Sequence, residues 1–300
     1  MYDLIIIGAG PAGITAAVYA ARKRLNLLVI TKDIGGQAAL SGDIENYTGY
    51  QFITGPDLAA KFEEHMRKFD ITLKENEEVV ELKKIGDKVW VKTNKGNYEA
   101  KAAIIASGKR SKELGLPGEK EFKNKGLTYC ATCDGPLFSG KDVAVIGGGN
   151  SALDTALQLI RITRQVYIIN ITASLGGDAI MREKVNESKL LTVFNNTQVT
   201  AIFGDKFVSG IRIKKKGREE QLAVQGIFVE IGLIPNSDFA KDIEKNQLGE
   251  IKVNCHNETN IPGIFAAGDV TDVPEKQIII AAGEGSKAAL GAFRYLSHLS

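Results

Sequence analysis

Cys130 and Cys133 stand two residues apart in Cys130-Ala131-Thr132-Cys133-Asp134-Gly135, with a carboxylate directly after the second sulfur. At that spacing two thiols close a small disulfide ring and reopen to a dithiol, and such pairs often have a lowered thiol pKa. The chemistry on offer is two-electron exchange with another disulfide. Asp134 has two readings. Opening a disulfide leaves a thiolate in need of a proton, which a neighbouring carboxyl can supply; the alternative is a turn residue ahead of Gly135-Pro136. Metal binding is the competing use of soft ligands, and Cys255-His256 is the other soft pair. Adjacent side chains on a strand point to opposite faces, which argues against both reaching one zinc ion. No metal is expected; Cys255 reads as an incidental thiol, and His65 and His298 as surface residues.

Two glycine-rich loops flank the thiols. Gly8-Ala9-Gly10-Pro11-Ala12-Gly13 follows the apolar run Leu4–Ile7 and opens an alanine-rich segment. A strand, a glycine turn and a helix in that order let the backbone approach a pyrophosphate whose charge sits at the helix N-terminus. Together with Ala267-Gly268-Asp269 near the end of the chain, the first loop points to a flavin dinucleotide. Gly147-Gly148-Gly149-Asn150-Ser151-Ala152 is the same device with alanine at the third position, usual for a pyridine nucleotide. An NAD site carries an acid at the end of the second strand, and an NADP site brings in arginine. Here Asn170-Ile171-Thr172-Ala173-Ser174 has neither. Asn170 could still hydrogen-bond a ribose hydroxyl, with a weaker neutral contact; a loop that has lost its ligand is the alternative.

The elements that must position these groups come as a duplicated plan. Strand, glycine loop, helix and second strand run from Gly8 to Thr31 and again, at the same length, from Gly147 to Asn170. The helices are expected through about Arg22 and from Ala152 to about Ile160. An antiparallel stretch follows each unit, with turns at Gly86-Asp87, Asn94-Lys95-Gly96, Gly204-Asp205 and Lys216-Gly217. Apolar strands 103–108 and 227–232 close the two halves. The segment from Gly263 is too small for a core of its own. With the helix expected from Ile278 to about Tyr295, it should return to the first half. The fold class is α/β, with two Rossmann-like, glutathione-reductase-type nucleotide-binding domains, the second inserted into the first. Residues 1–112 and 243–300 are expected to bind FAD; residues 113–242 carry the dithiol and the second loop.

Composition sets outer limits. A chain of 300 residues that is 44% hydrophobic and 25% charged suits two globular domains. A net charge of +2 gives no electrostatic case for nucleic acid or membrane, and Lys214-Lys215-Lys216 before Gly217 reads as a solvated turn. No leader can be drawn at Met1 and no apolar run spans a bilayer. Three cysteines do not make a secreted disulfide framework, so a cytoplasmic location is expected.

Cys130-Ala131-Thr132-Cys133-Asp134-Gly135 between the two glycine loops resembles the low-molecular-weight thioredoxin reductases. So do Gly35-Gly36-Gln37, Glu45-Asn46-Tyr47, Ala106-Ser107-Gly108 and Gly268-Asp269. The resemblance covers nearly the whole chain. It implies FAD near Gly36, Gln37, Asn46 and Asp269, Cys133 toward the flavin, Cys130 as the attacking thiol and Asp134 as the acid. It further implies thioredoxin or a thioredoxin-like partner, a homodimer, and a rotation of the inserted domain. NADPH-dependent members carry His-Arg-Arg and a further arginine after the second strand of that domain, where this chain has Asn170-Ile171-Thr172. Lys276-Gln277-Ile278-Ile279-Ile280-Ala281 resembles instead the NADH-linked reductase component of alkyl hydroperoxide reductase, although that protein's acid is missing at Asn170. A minor branch takes electrons from ferredoxin, so NADH or reduced ferredoxin is favoured over NADPH as donor. A flavin-dependent dithiol oxidase and a nucleotide-responsive binding protein without turnover are the alternatives.

Overall fold

Leu4, Ile5, Ile6 and Ile7 are all buried, so the strand Tyr2–Ala9 must lie inside a sheet covered on both faces. The structure, a computed structural model, describes residues 1–41 and 43–299. It divides into two compact units, Met1–Arg110 with Ile234–Ser300, and Ser111–Leu233.

In the first unit, Tyr2–Ala9 pairs in parallel with Leu27–Ile34 on one side and Asn97–Ile105 on the other. Alternate residues feed two cores. Leu4, Ile6, Val29 and Ile104 pack under the helices Pro11–Arg22 and Ile278–Ser297. Ile5, Ile7, Leu28, Ile30, Ala103 and Ile105 face Val89 and Val91 of the hairpin, with Ala240, Ile243 and Ile251. Asn97–Ile105 serves two partners: its first half pairs antiparallel with Lys88–Thr93, its second half in parallel with Tyr2–Ala9. One continuous strand therefore stands where a hairpin arm and a separate closing strand were expected. Ile264–Ala266 adds in parallel to Asn97–Ile105, which returns the end of the chain to this sheet.

The second unit repeats the plan. Its parallel sheet runs Leu127–Thr128, Gly226–Val229, Asp142–Ile146, Gln165–Ile169, Leu191–Phe194. Val143, Val145 and Phe228 pack against the helix Asn150–Leu159, which starts two residues ahead of the expected Ala152. Ala144, Ile146, Ile227 and Val229 face the antiparallel strands Thr197–Gly204 and Val208–Lys215.

The first crossing between units lies within two residues of the expected one. The second falls at 233/234 instead of 242/243. The intervening residues are tied to the first unit: Ser237 Oγ donates to Gly249 O at 2.6 Å, and Leu82 N–H to Phe239 O at 3.0 Å. Ala240 and Ile243 are buried in that unit's core.

Candidate redox and dinucleotide sites

Cys130 and Cys133 form a disulfide with Cα atoms 5.4 Å apart. Cys130 caps the single helical turn Ala131–Asp134, and the Cys133 N–H reaches back to its sulfur at 3.0 Å. Cys133 is exposed and Cys130 half-buried. Thr128, two residues ahead of the cap, is built into the turn: its Oγ1 accepts the Cys130 N–H at 3.2 Å and donates to Asp134 Oδ2. Asp134 is thus fixed beside the dithiol turn by a side-chain bond that spacing alone did not reveal. Tyr129 Oη donates to Glu119 Oε1 at 2.7 Å, and Glu119 also takes the N–H groups of Leu114 and Gly115 at 2.7 and 2.6 Å. Burial would raise the Glu119 pKa, but these donors together hold it below the usual carboxylate range. The same burial, with the bond to Glu119, pushes the Tyr129 phenol up.

The second glycine loop lies in the same unit. Gly147 has φ +141°, and a Cβ there would stand 2.0 Å from Glu230 O; at Gly148 it would meet Asn170 Oδ1 at 2.4 Å. At Gly149 nothing lies within 4 Å, so one flank of the loop is open to a ligand. The helix that follows has no side-chain cap and no acid in its first turn, leaving the amides after Gly149 for an anion. These features fit a pyrophosphate.

The strand end beyond the loop differs from expectation. Asn170 is 3% exposed. Its Nδ2 donates to Asn195 Oδ1 at 2.8 Å and Thr172 O at 3.2 Å; its Oδ1 accepts from Thr172 Oγ1 at 2.9 Å and Thr172 N at 3.3 Å. Both amide protons of Asn170 are taken by the protein, while its Oδ1 shares the single Thr172 hydroxyl proton with Ser174 O. Asn170 organises the turn, with both of its donors committed there. Arg182 instead lines a hollow of about 350 Å³ with Ser174, Asn195 and Glu183, a cation brought in by the helix Ala179–Glu187.

Glu230 was missed, although an acid inside Ile227-Phe228-Val229-Glu230-Ile231 was a legible signal. Its Oε1 accepts from Thr155 Oγ1 at 3.0 Å. Burial pushes its pKa up to about 7, against the Thr155 hydrogen bond and with Asp154 adding to the rise.

In the first unit, Gly8 has φ +106°, and a Cβ there would strike Ala106 O at 2.3 Å. A Cβ on Gly13 would come within 1.9 Å of Gly8 O, so the helix can approach the loop only over glycine. Gly10 caps the helix without a side-chain bond, Pro11 takes its first position, and Ala12 is buried behind. Gly36, at φ +54°, turns close to Gly10. Gln37 Nε2 donates to Lys109 O at 3.2 Å, and Asn46 Nδ2 to Gln277 Oε1 at 3.1 Å. Gln277 precedes the helix that begins at Ile278. Asp269 is half-buried and has no hydrogen-bond donor among the described residues; burial raises its pKa, while Lys276 and Lys109 act only through space. A half-buried carboxylate without a donor, next to the helix that follows the glycine loop, fits a ligand that brings hydroxyls, as the ribityl and ribose groups of FAD do. Lys276 Nζ and Lys109 Nζ both reach Glu250 Oε1, at 3.2 and 2.9 Å.

Gly147, Gly149, Asn150, Ser151 and Ala152 are therefore grouped with the dithiol in one unit, and the remaining predicted ligand residues are grouped in the other. Cys255 lies in the first unit as a free, exposed thiol. Among the described residues no cluster of three or more His, Cys, Asp or Glu side chains could hold a metal ion, and no helix is long and apolar enough to cross a membrane.

The model of the pyridine nucleotide-disulphide oxidoreductase family matches residues 2–285. An NADH dehydrogenase from Ferdinandcohnia aciditolerans is 42% identical over 299 residues, covering 98% of this chain. The F component of alkyl hydroperoxide reductase from Pseudomonas putida is 42% identical over 306 residues, covering all of it. Both relatives are longer: the chain spans 57% and 59% of their lengths. The crystal structure of Lactococcus lactis thioredoxin reductase is 35% identical, with a TM-score of 0.94, covering 99% of this chain and 100% of that one.

Proposed function

The chain belongs to the pyridine nucleotide-disulphide oxidoreductase family, and we propose that within it this protein is a flavin-dependent disulfide reductase acting on thioredoxin or a thioredoxin-like protein. The observation that carries the reading is the Cys130–Cys133 disulfide, closed on a helical turn whose carboxyl, Asp134, is held in place by Thr128. Proteins of the thioredoxin reductase family bind FAD and a nicotinamide nucleotide. In this reading Gly8, Gly10, Gly13, Gly36, Gln37, Asn46, Asp269, Lys276, Gln277 and Ile278 would hold FAD. Bound FAD supplies the two-electron carrier between donor and dithiol.

The chain's own residues do the rest. Two electrons entering the Cys130–Cys133 bond leave two thiolates, and Asp134 protonates one of them. The Cys133 N–H directed at the Cys130 sulfur favours negative charge there, so Cys130 is the thiolate that attacks the partner's disulfide. Cys133 then displaces the mixed disulfide, and the partner departs as a dithiol. The protein is read as a homodimer whose inserted domain rotates between donor and partner. NADH or reduced ferredoxin is favoured as donor over NADPH. The similarity to an NADH dehydrogenase supports NADH, and the lone Arg182 of the strand-end hollow is accompanied there by Glu183.

The test is turnover of thioredoxin by the FAD-loaded protein with NADH, NADPH and reduced ferredoxin in parallel. Cys130→Ser and Cys133→Ser are each expected to abolish thioredoxin reduction while NADH still bleaches the flavin. Full activity in either variant would remove the dithiol from the pathway, and efficient turnover at micromolar NADPH would overturn the donor assignment.

A further inference from the structure

The two halves provide an internal comparison. Gly8 packs against the carbonyl of Ala106, and Gly147 packs in the same way against the carbonyl of Glu230. Eight residues beyond each of these glycines stand Ala16 and Thr155, both buried on the helix that follows the loop. At this junction of helix and strand end, the first unit places two alanines, Ala16 and Ala106, at 0% and 5% exposure. The second places a hydroxyl and a carboxyl, Thr155 and Glu230, bonded at 3.0 Å. The fold does not need polar groups there, because its twin closes without them. A partly buried carboxyl served by a single neutral donor is unfavourable, so the substitution points to a ligand.

Sheet order says which part of a ligand. A dinucleotide crosses the carboxyl ends of the strands with its pyrophosphate at the glycine loop and its adenosine ribose over the second strand, here Gln165–Ile169. The other half must then lie on the opposite side of Asp142–Ile146, over Gly226–Val229, and Glu230 is the first residue past that strand. Leu127–Thr128 is the next strand out, with Thr128 in register with Phe228. Glu230 thus comes two residues past Phe228, as Cys130 comes two past Thr128.

We propose that Glu230 is a specificity-determining residue of the second dinucleotide site, whose ionised carboxyl makes that site bind the oxidised, cationic nicotinamide ring in preference to the reduced, neutral one. This rests on the reading of the second unit as a nicotinamide site. Loss of hydride leaves the ring with a positive charge, and Glu230 is a partly buried carboxyl at the end of the strand on that side. The helix packed against Glu230 brings Asp154, another acid, and Thr155; the adjoining turn brings Asp134, which is engaged by Thr128. Asp154 is linked onward, through Gln158 Nε2 at 2.9 Å and Gln158 Oε1 to Thr132 Oγ1 at 3.0 Å, to the turn between the two cysteines. Asp154 is the charged group whose field acts on Glu230, and it opposes the anion. Its protonation is balanced near pH 7, where burial and Asp154 oppose the charge and Thr155 favours it.

The sign follows from linkage. A cationic ring prefers the ionised carboxyl, so NAD⁺ binding tightens as pH rises through about 7. A neutral reduced ring has no such preference. The experiment is calorimetric titration of the oxidised, FAD-loaded protein between pH 6 and pH 8. The two probes are NAD⁺ and 1,4,5,6-tetrahydro-NAD, which carries a neutral ring and donates no hydride. In the unaltered protein, NAD⁺ affinity relative to the tetrahydro form is expected to rise about three- to tenfold across this range, a span set by the ionisation of one group. In Glu230→Gln the ratio should be flat, and in Thr155→Val, which removes the donor that favours the anion, its midpoint should move to higher pH. A flat ratio in the unaltered protein with both probes binding would overturn the role of Glu230 alone, as would an unchanged profile in Glu230→Gln. Failure of both probes to bind would overturn the nicotinamide reading and this proposal with it.

Discussion

Thr128 Oγ1 stands between the Cys130 N–H and the Asp134 carboxyl, so one hydroxyl orients both the attacking thiol's backbone and the proposed acid. Removing the acid and removing its support should differ in size. Asp134→Asn keeps shape and loses the transferable proton, and should slow thioredoxin turnover about 10²-fold, the lower end of what a positioned acid contributes. Thr128→Val leaves the proton and loses the hydrogen bond that fixes the carboxyl. One such bond is worth about 1–1.5 kcal/mol, so a loss of about tenfold is expected. Steady-state turnover with saturating donor measures both. Equal losses in the two variants would mean that Thr128 maintains the turn itself, and a Thr128→Val enzyme with full activity would show that Asp134 needs no support. The sequence displayed Asp134 through its place beside Cys133. It did not display Thr128, because a threonine two residues ahead of a cysteine has no distinguishing pattern until the turn folds.

Lys276 sits just ahead of the long C-terminal helix, and what holds it there is an element-scale feature. Glu250 accepts from Lys109 at 2.9 Å, Lys276 at 3.2 Å and Asn246 at 2.7 Å, joining the end of the parallel sheet to the approach of that helix. Burial alone would raise the Glu250 pKa; these three partners bring it to about 2. A depressed carboxylate stabilises the folded state above its unfolded pKa and loses that contribution as pH falls through the folded one. The window here is from about 4.5 down to about 2. Glu250→Gln leaves two ammonium groups facing a neutral amide, so it should cost about 3 kcal/mol at pH 7, with the gap to the parent narrowing as the pH falls through that window. Denaturant unfolding at pH 7 and pH 3 compares the two; an equal gap at both would mean the cost lies in packing. Residues 109, 250 and 276 are too far apart in the chain for any spacing to announce such a triad. The glycine loops were legible for the opposite reason: at Gly8, Gly13 and Gly147 a Cβ would collide with neighbouring backbone, so local sequence carries a tertiary requirement. The boundary at 233/234 was illegible because Ser237, Ala240 and Ile243 are claimed by side-chain contacts with distant strands.

At the scale of the whole molecule, the unit Met1–Arg110 with Ile234–Ser300 has its hydrophobic clusters drawn from its own two segments, and the unit Ser111–Leu233 has clusters of its own. The ends of the first unit's two segments are held together by its own bonds: Asn236 N–H to Gly108 O at 2.9 Å, Asn236 Nδ2 to Ser107 O at 2.9 Å, and Arg110 Nη1 to Pro235 O at 3.2 Å. The chain therefore leaves and re-enters this unit at one place, and closing the gap needs only a short turn. Deleting 112–232 and joining the ends through two or three glycines is expected to leave a folded domain, because no strand of its sheet and no member of its cores is removed. If Gly8, Gly13, Gln37, Asn46 and Asp269 hold the flavin, that domain should purify yellow and unfold in one cooperative transition. It should also be unable to reduce thioredoxin, since Cys130 and Cys133 have gone with the insert. A folded but colourless domain that also fails to take up added FAD would place essential flavin contacts in the excised segment. An unfolded one would show that the first unit depends on the second for its stability.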